Sequence, residues 1–307
     1  MSEEAAGKVI ESIDTYVRTC SPFGIPGIDG LIGGIHAHEL MSISGREGVG
    51  KTSFSLWCCN QWLNQGKRIM YFTNEQTQEE LLKILAANKL RLDSIAIRNK
   101  KVSEADWKRC VQYWRDFPSD KFLILDQKQG VHATSIQAHY LQHKPDIIVV
   151  DNLNQINSED PREPRPLVIK KFVEDVHSIV KNKKHEVGAV LLSHLNAEYK
   201  KNRDGRPDIN NIAESAALRR EAHTSLLLHW GWYDQHGLSD EEKHKLMEDN
   251  KLFPENLYLV IVAKARNGKP GVSKLNVDMK FGSFSEWIEG VQPSEQVKEQ
   301  PESWDNP

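Results

Sequence analysis

Gly45-Arg46-Glu47-Gly48-Val49-Gly50-Lys51-Thr52 is a complete phosphate-binding loop. Its neighbours supply the context that the motif requires. Glu39-Leu40-Met41-Ser42-Ile43-Ser44 reads as a buried strand leading in, and Ser53-Phe54-Ser55-Leu56-Trp57-Cys58-Cys59 as the first turns of a helix leading out. In such a loop the glycines turn successive backbone N–H groups toward phosphate, and the helix N-terminus adds positive potential. Gly45, Arg46, Glu47, Gly48, Val49, Gly50, Lys51, Thr52 and Ser53 are therefore the expected triphosphate cradle. Lys51 is placed to reach the outer phosphates and Thr52 to hold Mg²⁺.

Outward from the loop, the chain alternates strand and helix signals. Further strands are predicted at Arg68–Thr73, Lys121–Asp126, Asp146–Asp151, Val187–Ser193, Thr224–His229, Leu257–Lys264 and Ser273–Asp278. Near-continuous apolar runs such as Ile147-Ile148-Val149-Val150 mark strands buried on both faces. The class is α/β, a mostly parallel central sheet flanked by helices. Residues 1–21 form a separate unit, an amphipathic helix over 3–20 with Val9, Ile10, Ile13, Tyr16 and Val17 at helical spacing and Ser21-Pro22 as its end. Such a helix either lies on its own domain or docks on a neighbouring subunit. Residues 23–38, with five glycines, read as a loop, and the main domain runs over 22–291. The charged stretch 233–256 reads as a surface insertion, and 292–307 as a disordered acidic tail.

The bulk properties exclude several classes. The 307 residues suit one large domain with extensions, and 39% hydrophobic content fits a globular protein. No run approaches the ~18 apolar residues of a membrane span. The start Ser2-Glu3-Glu4 is unlike a secretion signal, so a cytoplasmic location is expected. With 40 basic and 43 acidic residues the net charge is −3, so any DNA contact must come from local basic loops. Cys20, Cys58, Cys59 and Cys110 form no Cys-x-x-Cys pair, which argues for buried reduced thiols and against a zinc module.

Further positions carry chemistry. Asp151 ends a buried strand, where a carboxylate either supports Mg²⁺ or caps the next turn. Glu75 ends Tyr71-Phe72-Thr73-Asn74-Glu75 and can orient the attacking water; otherwise it serves the N-terminus of the helix that follows. His194, in Ser193-His194-Leu195-Asn196, sits at a strand tip from which a polar side chain can sense a γ-phosphate. Beyond it Lys200-Lys201-Asn202-Arg203-Asp204-Gly205-Arg206 suits phosphodiester contacts, although a solvated charge run has the same composition. Lys264 and Arg266, two cations separated by one residue, point to the same face of a strand and require an anion nearby. A phosphate presented by an adjacent subunit would supply it, the arginine-finger arrangement.

In order and spacing, these segments resemble the hexameric replicative helicases, namely the DnaB family and the helicase half of phage-type primase–helicases, mitochondrial Twinkle included. The matching stretches are Gly45–Ser53, Tyr71–Glu80, Ile147–Ile156, Val190–Ala217 and Leu257–Asn276, within roughly residues 22–290. The resemblance implies a RecA-like fold, a ring of six (or seven) subunits with ATP or dTTP and Mg²⁺ between neighbours, and 5′-to-3′ movement on single-stranded DNA. It implies Lys51 and Thr52 on phosphate and metal, Glu75 as catalytic base, Asp151 supporting the metal, His194 as sensor, and Lys264 and Arg266 acting in trans. DNA would meet the loops near Asn157–Arg165 and Glu198–Arg206, with Lys200, Lys201, Asn202, Arg203 and Arg206, and the segment Glu214, Ser215, Ala216. The helix at 3–20 matches the arm that joins neighbouring subunits. Primase, polymerase and single-strand-binding protein are the further partners implied.

Departures narrow the match. His194 stands where DnaB proteins carry Gln, and agrees with the phage and mitochondrial branch. Ala213 and Ala216 replace an Arg and a Gly of DnaB in the DNA-facing segment. The layout, with no primase or DnaB-type N-terminal domain before the motor, is the one expected of a stand-alone helicase such as viruses encode. Two other classes stand beside it: RecA/RadA-type recombinases, which share the loop, Glu75 and Asp151, and KaiC-like regulatory ATPases, which also place a Lys and an Arg near the subunit boundary. The pairing of Glu214-Ser215 and Ala217 with Lys264, Arg266, Asn267 and Gly268 favours the helicase. Phe281 and Phe284 are candidates for stacking on the base.

Overall fold

The computed structural model describes residues 3–127, 131–156, 162–202, 205–213, 216–236, 238–239, 241, 244, 247 and 253–289, apart from the side chains at 3, 4 and 201. Nine strands make one sheet: β1 (Leu40–Gly45), β2 (Ile69–Thr73), β3 (Phe122–Asp126), β4 (Ile147–Asp151), β5 (Gly188–His194), β6 (Thr224–His229), β7 (Leu257–Ala265), β8 (Gly271–Asp278) and β9 (Ser283–Glu286). Their order is β3-β2-β4-β5-β1-β6-β7-β8-β9. The six from β3 to β6 are parallel and the last three antiparallel. Ten helices accompany them among the described residues: α1 (Glu3–Thr19), α2 (Pro26–Ile32), α3 (Lys51–Asn64), α4 (Gln78–Leu90), α5 (Ser94–Arg98), α6 (Glu104–Arg115), α7 (Ala133–His143), α8 (Arg165–Lys181), α9 (Ala216–Glu221) and α10 (Gly231–Gln235).

Each face of the sheet is covered, as the continuous apolar runs require. On one side Phe54, Trp57, Cys58 and Trp62 of α3 pack with Ile43, Tyr71, Val149 and Leu226. On the other, Val168, Phe172, Val173 and Val176 of α8 pack with Phe72, Ile148, Val150 and Leu191. Alternate residues of one strand thus serve opposite cores. Cys58, Cys59 and Cys110 are buried free thiols, whereas Cys20 is only half-buried.

All the predicted strands are present to within a residue or two. The glycine-rich stretch 23–38 is not a plain loop, because it contains α2. Pro26 opens that helix, and the Asp29 carboxylate accepts from the backbone N–H groups of Phe23 (2.7 Å), Gly24 (2.8 Å) and Ile25 (3.1 Å). Ile25, Ile28 and Ile32 are buried beneath it. A proline start and a carboxylate at the N-terminus outweigh the glycines' low helix propensity. The strand β9 is a further addition, too short and polar to stand out.

The helix α1 forms as expected and touches the body near its C-terminal end. The Tyr16 ring stacks on His36 with centroids 3.6 Å apart, and Arg18 pairs with Glu186 at 2.6 Å. Val9, Ile10, Ile13 and Val17 remain exposed. The stretch 233–256 lies partly, and the tail 292–307 wholly, outside the described residues. Tyr233 and Asp234, at the start of the first, belong to α10 and do not form a surface insertion: they pack on the phosphate loop. Among the described residues no helix is long and apolar enough to cross a membrane.

Candidate active site

The strand β1 is buried along its whole length and delivers Gly45 to the carboxyl edge of the sheet, where α3 begins at Lys51. Open sheets of this kind place ligands at that edge. Gly48 (φ 76°) and Gly50 (φ 92°) adopt the left-handed backbone that only glycine takes without strain. Both are also crowded. A Cβ on Gly48 would lie 2.3 Å from the Tyr233 hydroxyl, and one on Gly50 would lie 2.7 Å from Met279 Cε. The Lys51 ammonium donates to the Arg46 carbonyl at 3.1 Å, which folds the loop back over its own lysine.

The Thr52–Asp151 corner is assembled from two strands, β2 and β4, and one helix, α3. Thr52 Oγ1, in the first turn of α3, donates to Asp151 Oδ2 at 2.7 Å. The Tyr71 hydroxyl on β2 donates to the same oxygen at 2.8 Å and lies 2.9 Å from Ser55 Oγ. Asp151 Oδ1 is buried and has no partner among the described residues. Burial pushes the Asp151 carboxyl above the ordinary carboxylate range, against the hydrogen bonds from Thr52 and Tyr71. A hard divalent cation fits here, since Thr52 Oγ1 and the orphaned Asp151 Oδ1 are the oxygen donors that Mg²⁺ accepts, one of them through water. Such a charge would favour the ionised carboxylate.

His194 is brought to the loop by sheet register. It pairs directly with Gly45 across β5 and β1, and its Nε2 lies 3.4 Å from the Asn152 amide nitrogen. Burial, and then the Lys51 ammonium, hold its pKa below the usual imidazole range. Glu75 is exposed just past β2, where Asn74 donates its side-chain amide to the Asn152 carbonyl at 2.8 Å and accepts the Asn152 N–H at 2.9 Å. That reciprocal pair fixes the end of β2 against the end of β4. Lys51, Thr52, Glu75, Asp151 and His194 thus converge on one edge.

Lys264 and Arg266 lie elsewhere. The strand β7 runs antiparallel, so its last residues reach the opposite edge, where Ala265 pairs with Thr224. Gly45 is level with Leu228 and Val260, four residues from Lys264 and six from Arg266. At about 3.3 Å per residue the two cations stand roughly 13 and 20 Å from the loop along the strand. Within the chain they face a helix end. Lys264 Nζ donates to the carbonyls of Arg219 (2.7 Å) and Arg220 (3.0 Å), and Arg266 donates to that of Arg220 (2.7 Å), at the negative terminus of α9.

The DNA-facing candidates are partly described. After His194 the chain pairs with the segment leading to α9: Leu195 bridges Ile212, and Ala213 donates to the His194 carbonyl at 3.1 Å. Lys200 is exposed on a short 3₁₀ turn, Ala197–Lys201. The Asn202 amide is turned inward, donating to the Arg206 carbonyl at 2.6 Å, and the Arg206 guanidinium lies 6.0 Å from the Phe253 ring centre. Ala216 is exposed at the first position of α9. The Lys201 side chain, Arg203, Glu214, Ser215 and residues 157–161 lie outside the described residues. Phe284 is buried among Phe54, Trp57 and Tyr258. Phe281 instead lines a cleft of about 220 Å³ beside Ser53, Gln76, Arg98 and Met279.

Sequence reasoning missed Tyr71, Asn74, Asn152, Tyr199, Tyr233 and Asp234. The first three lie beside recognised residues but carry no motif of their own. Arg46, expected in the cradle, is directed away from it: its guanidinium is paired with Asp234 and lies 4.7 Å from the Tyr233 ring centre.

A glycine loop at the tip of a central parallel strand, with the Thr52–Asp151 corner beside it, defines a P-loop NTPase of RecA-like architecture. Residues 22–286 match the DnaB-like helicase C terminal domain, and the chain belongs to that family. The replicative DNA helicase DnaB of Rickettsia bellii is 24% identical over 282 residues, covering 85% of this chain and 56% of that protein. The DnaB of Haemophilus influenzae is 23% identical over 294 residues, covering 91% and 59%. The chain therefore spans little more than half the length of these curated relatives. Among solved structures, a DnaB-like replicative helicase whose structure addresses its interactions with primase superposes with a TM-score of 0.77 at 21% identity, covering 94% of this chain and 69% of that one. A separately solved ATPase domain gives 0.77 at 22%, covering 92% and 96%. The RadB recombinase shares the fold more distantly, at 0.53 and 13%, covering 87% and 100%.

Proposed function

We propose that this chain is the motor of an ATP-dependent replicative DNA helicase, a ring that moves 5′ to 3′ along single-stranded DNA and unwinds duplex. The observation that carries this reading is the pairing of Gly45 with His194. It joins the nucleotide loop to a strand that leads, six residues on, into the basic stretch Lys200–Arg206. Loss of a γ-phosphate beside His194 has a short covalent path to a phosphodiester-binding segment.

In the reaction, Lys51 and the loop amides hold the triphosphate, with ATP or dTTP as the nucleotide. Thr52 and Asp151 hold Mg²⁺, which supplies charge neutralisation at the phosphates. Glu75 orients the attacking water and takes up its proton, and neutral His194 offers a hydrogen bond to the γ-phosphate. The remoteness of Lys264 and Arg266 from their own loop supports a role in trans, each chain completing its neighbour's site. Six or seven copies would close such a ring. Phe281, beside the cleft at the loop, is the better placed of the two candidates for stacking on the base.

The test is unwinding of a forked duplex carrying only a 5′ single-stranded tail against one carrying only a 3′ tail, with Lys51→Ala as control. Opening that needs the 5′ tail and Lys51 supports the proposal. ATPase stimulated by single strands with no unwinding shifts the reading toward a recombinase.

A further inference from the structure

Asp234 is a junction between two segments distant in sequence. It takes the guanidinium of Arg46 from the phosphate loop. It also accepts the Tyr199 hydroxyl, 3.0 Å from each carboxylate oxygen. Tyr199 is 2% exposed and lies in the 3₁₀ turn that opens the basic segment. His229 Nδ1, at the end of β6, lies 3.5 Å from the same carboxylate.

The surroundings hold this junction in place. The Tyr233 hydroxyl is packed on Gly48, and its ring is stacked on Trp230, whose indole donates to the Glu255 carbonyl at 2.7 Å. Phe253 is seated on Gly231, donates its own N–H to the Gln235 side-chain oxygen at 3.0 Å, and packs edge-on to His229. Arg206, at the far end of the basic segment, lies over the same Phe253 ring. Tyr199 thus rests on α10, which grips the phosphate loop, and Arg206 rests on Phe253, which packs against α10. A charge-assisted, largely buried network of this kind transmits a shift of one member to the others.

We propose that Asp234, through Arg46 and Tyr199, couples nucleotide occupancy of the phosphate loop to the 197–206 segment by a route separate from His194. Arg46 and Tyr199 are positioning residues in this arrangement, and neither needs to touch the reacting phosphate. The inference rests on the reading of that segment as DNA-facing.

The experiment measures the affinity of the full chain for a fluorescent oligo-dT strand, with and without a slowly hydrolysed ATP analogue and Mg²⁺. The ratio of the two dissociation constants is the coupling factor, which is reciprocal between the ligands. Tyr199→Phe removes one oxygen from a packed ring. It should lower the coupling factor by about tenfold, the scale of one hydrogen bond to a charged acceptor. Affinity for the analogue alone should stay near the wild-type value, while loss of a buried donor to Asp234 should cost about 1–2 kcal/mol of stability. Asp234→Asn, which keeps the shape and removes the charge, should lower the factor in the same sense. An unchanged factor in both variants overturns the inference and leaves the DNA reading intact. A wild-type chain that binds the strand with no nucleotide dependence likewise overturns the inference alone, and one that does not bind the strand overturns both.

Discussion

The Tyr71 hydroxyl and Asp151 Oδ2 are 2.8 Å apart, and both side chains are buried. The tyrosine thereby holds one carboxylate oxygen together with Thr52 and leaves the other without a partner among the described residues.

Removing that hydroxyl separates packing from metal support. Tyr71→Phe should cost about 1–2 kcal/mol of stability, because Asp151 loses a donor in a buried setting. It should also raise the Mg²⁺ concentration needed for half-maximal binding of a fluorescent nucleotide. A lower melting temperature with an unaltered Mg²⁺ requirement would confine Tyr71 to packing.

The phosphate loop should be intolerant of the smallest side chain. Gly48→Ala forces a left-handed alanine, about 1–2 kcal/mol on conformation alone, and drives its methyl into Tyr233. Nucleotide affinity should fall at least about tenfold, since about 1.4 kcal/mol of loop distortion suffices for that. Equilibrium titration with a fluorescent nucleotide is the check, and near-native affinity would show that the loop relaxes freely around Tyr233.

Arg266→Ala should leave nucleotide binding intact and lower the ATPase of the assembled protein by about 10³-fold, the usual worth of an arginine finger. The sheet geometry carries this expectation, because Arg266 is six residues beyond the strand position level with Gly45. Loss of nucleotide binding in the isolated chain would instead place Arg266 in its own pocket.

The pH dependence of stability has a defined contributor. Burial, and then Arg266, lower the His223 pKa from 6.5 to about 4. The folded state therefore binds fewer protons than the unfolded state between these values, and stability falls as pH drops from 6.5 toward 4. Above 6.5 the residue is neutral in both states and contributes no slope. His223→Asn, whose side-chain oxygen can still accept the Leu40 N–H, should flatten that acid limb in thermal unfolding. A limb as steep as wild type would assign it to carboxylates instead.

The sheet and the heart of the site were legible because both leave local signals. Continuous apolar runs located the buried strands, and the glycine spacing located the loop. Asp151 and His194 were recognisable as polar residues ending apolar strands. Asp234 gave no such sign: it sits in a charged stretch 188 residues from Arg46, and only folding brings the two together. The helix α2 was hidden for another reason, because its glycines have low helix propensity and read as loop, while Pro26 and Asp29, which start it, are also common in turns. For Lys264 and Arg266 the sequence reading required an anion, whereas within the chain neutral backbone carbonyls accept their hydrogen bonds.

The attachment of α1 sets how the chain responds to dilution. Its last turns are anchored by the Tyr16–His36 stack and the Arg18–Glu186 pair, while Val9, Ile10, Ile13 and Val17 face outward along a rod of 17 residues. At 1.5 Å per residue that rod is about 25 Å long. In dilute solution its oily stripe meets only water, and a lone helix of this length is marginal there. Whatever surface covers the stripe adds hydrophobic burial to its stability, so helix content would rise with protein concentration if that surface belongs to another copy. The amount of protein in the tube then becomes a structural variable.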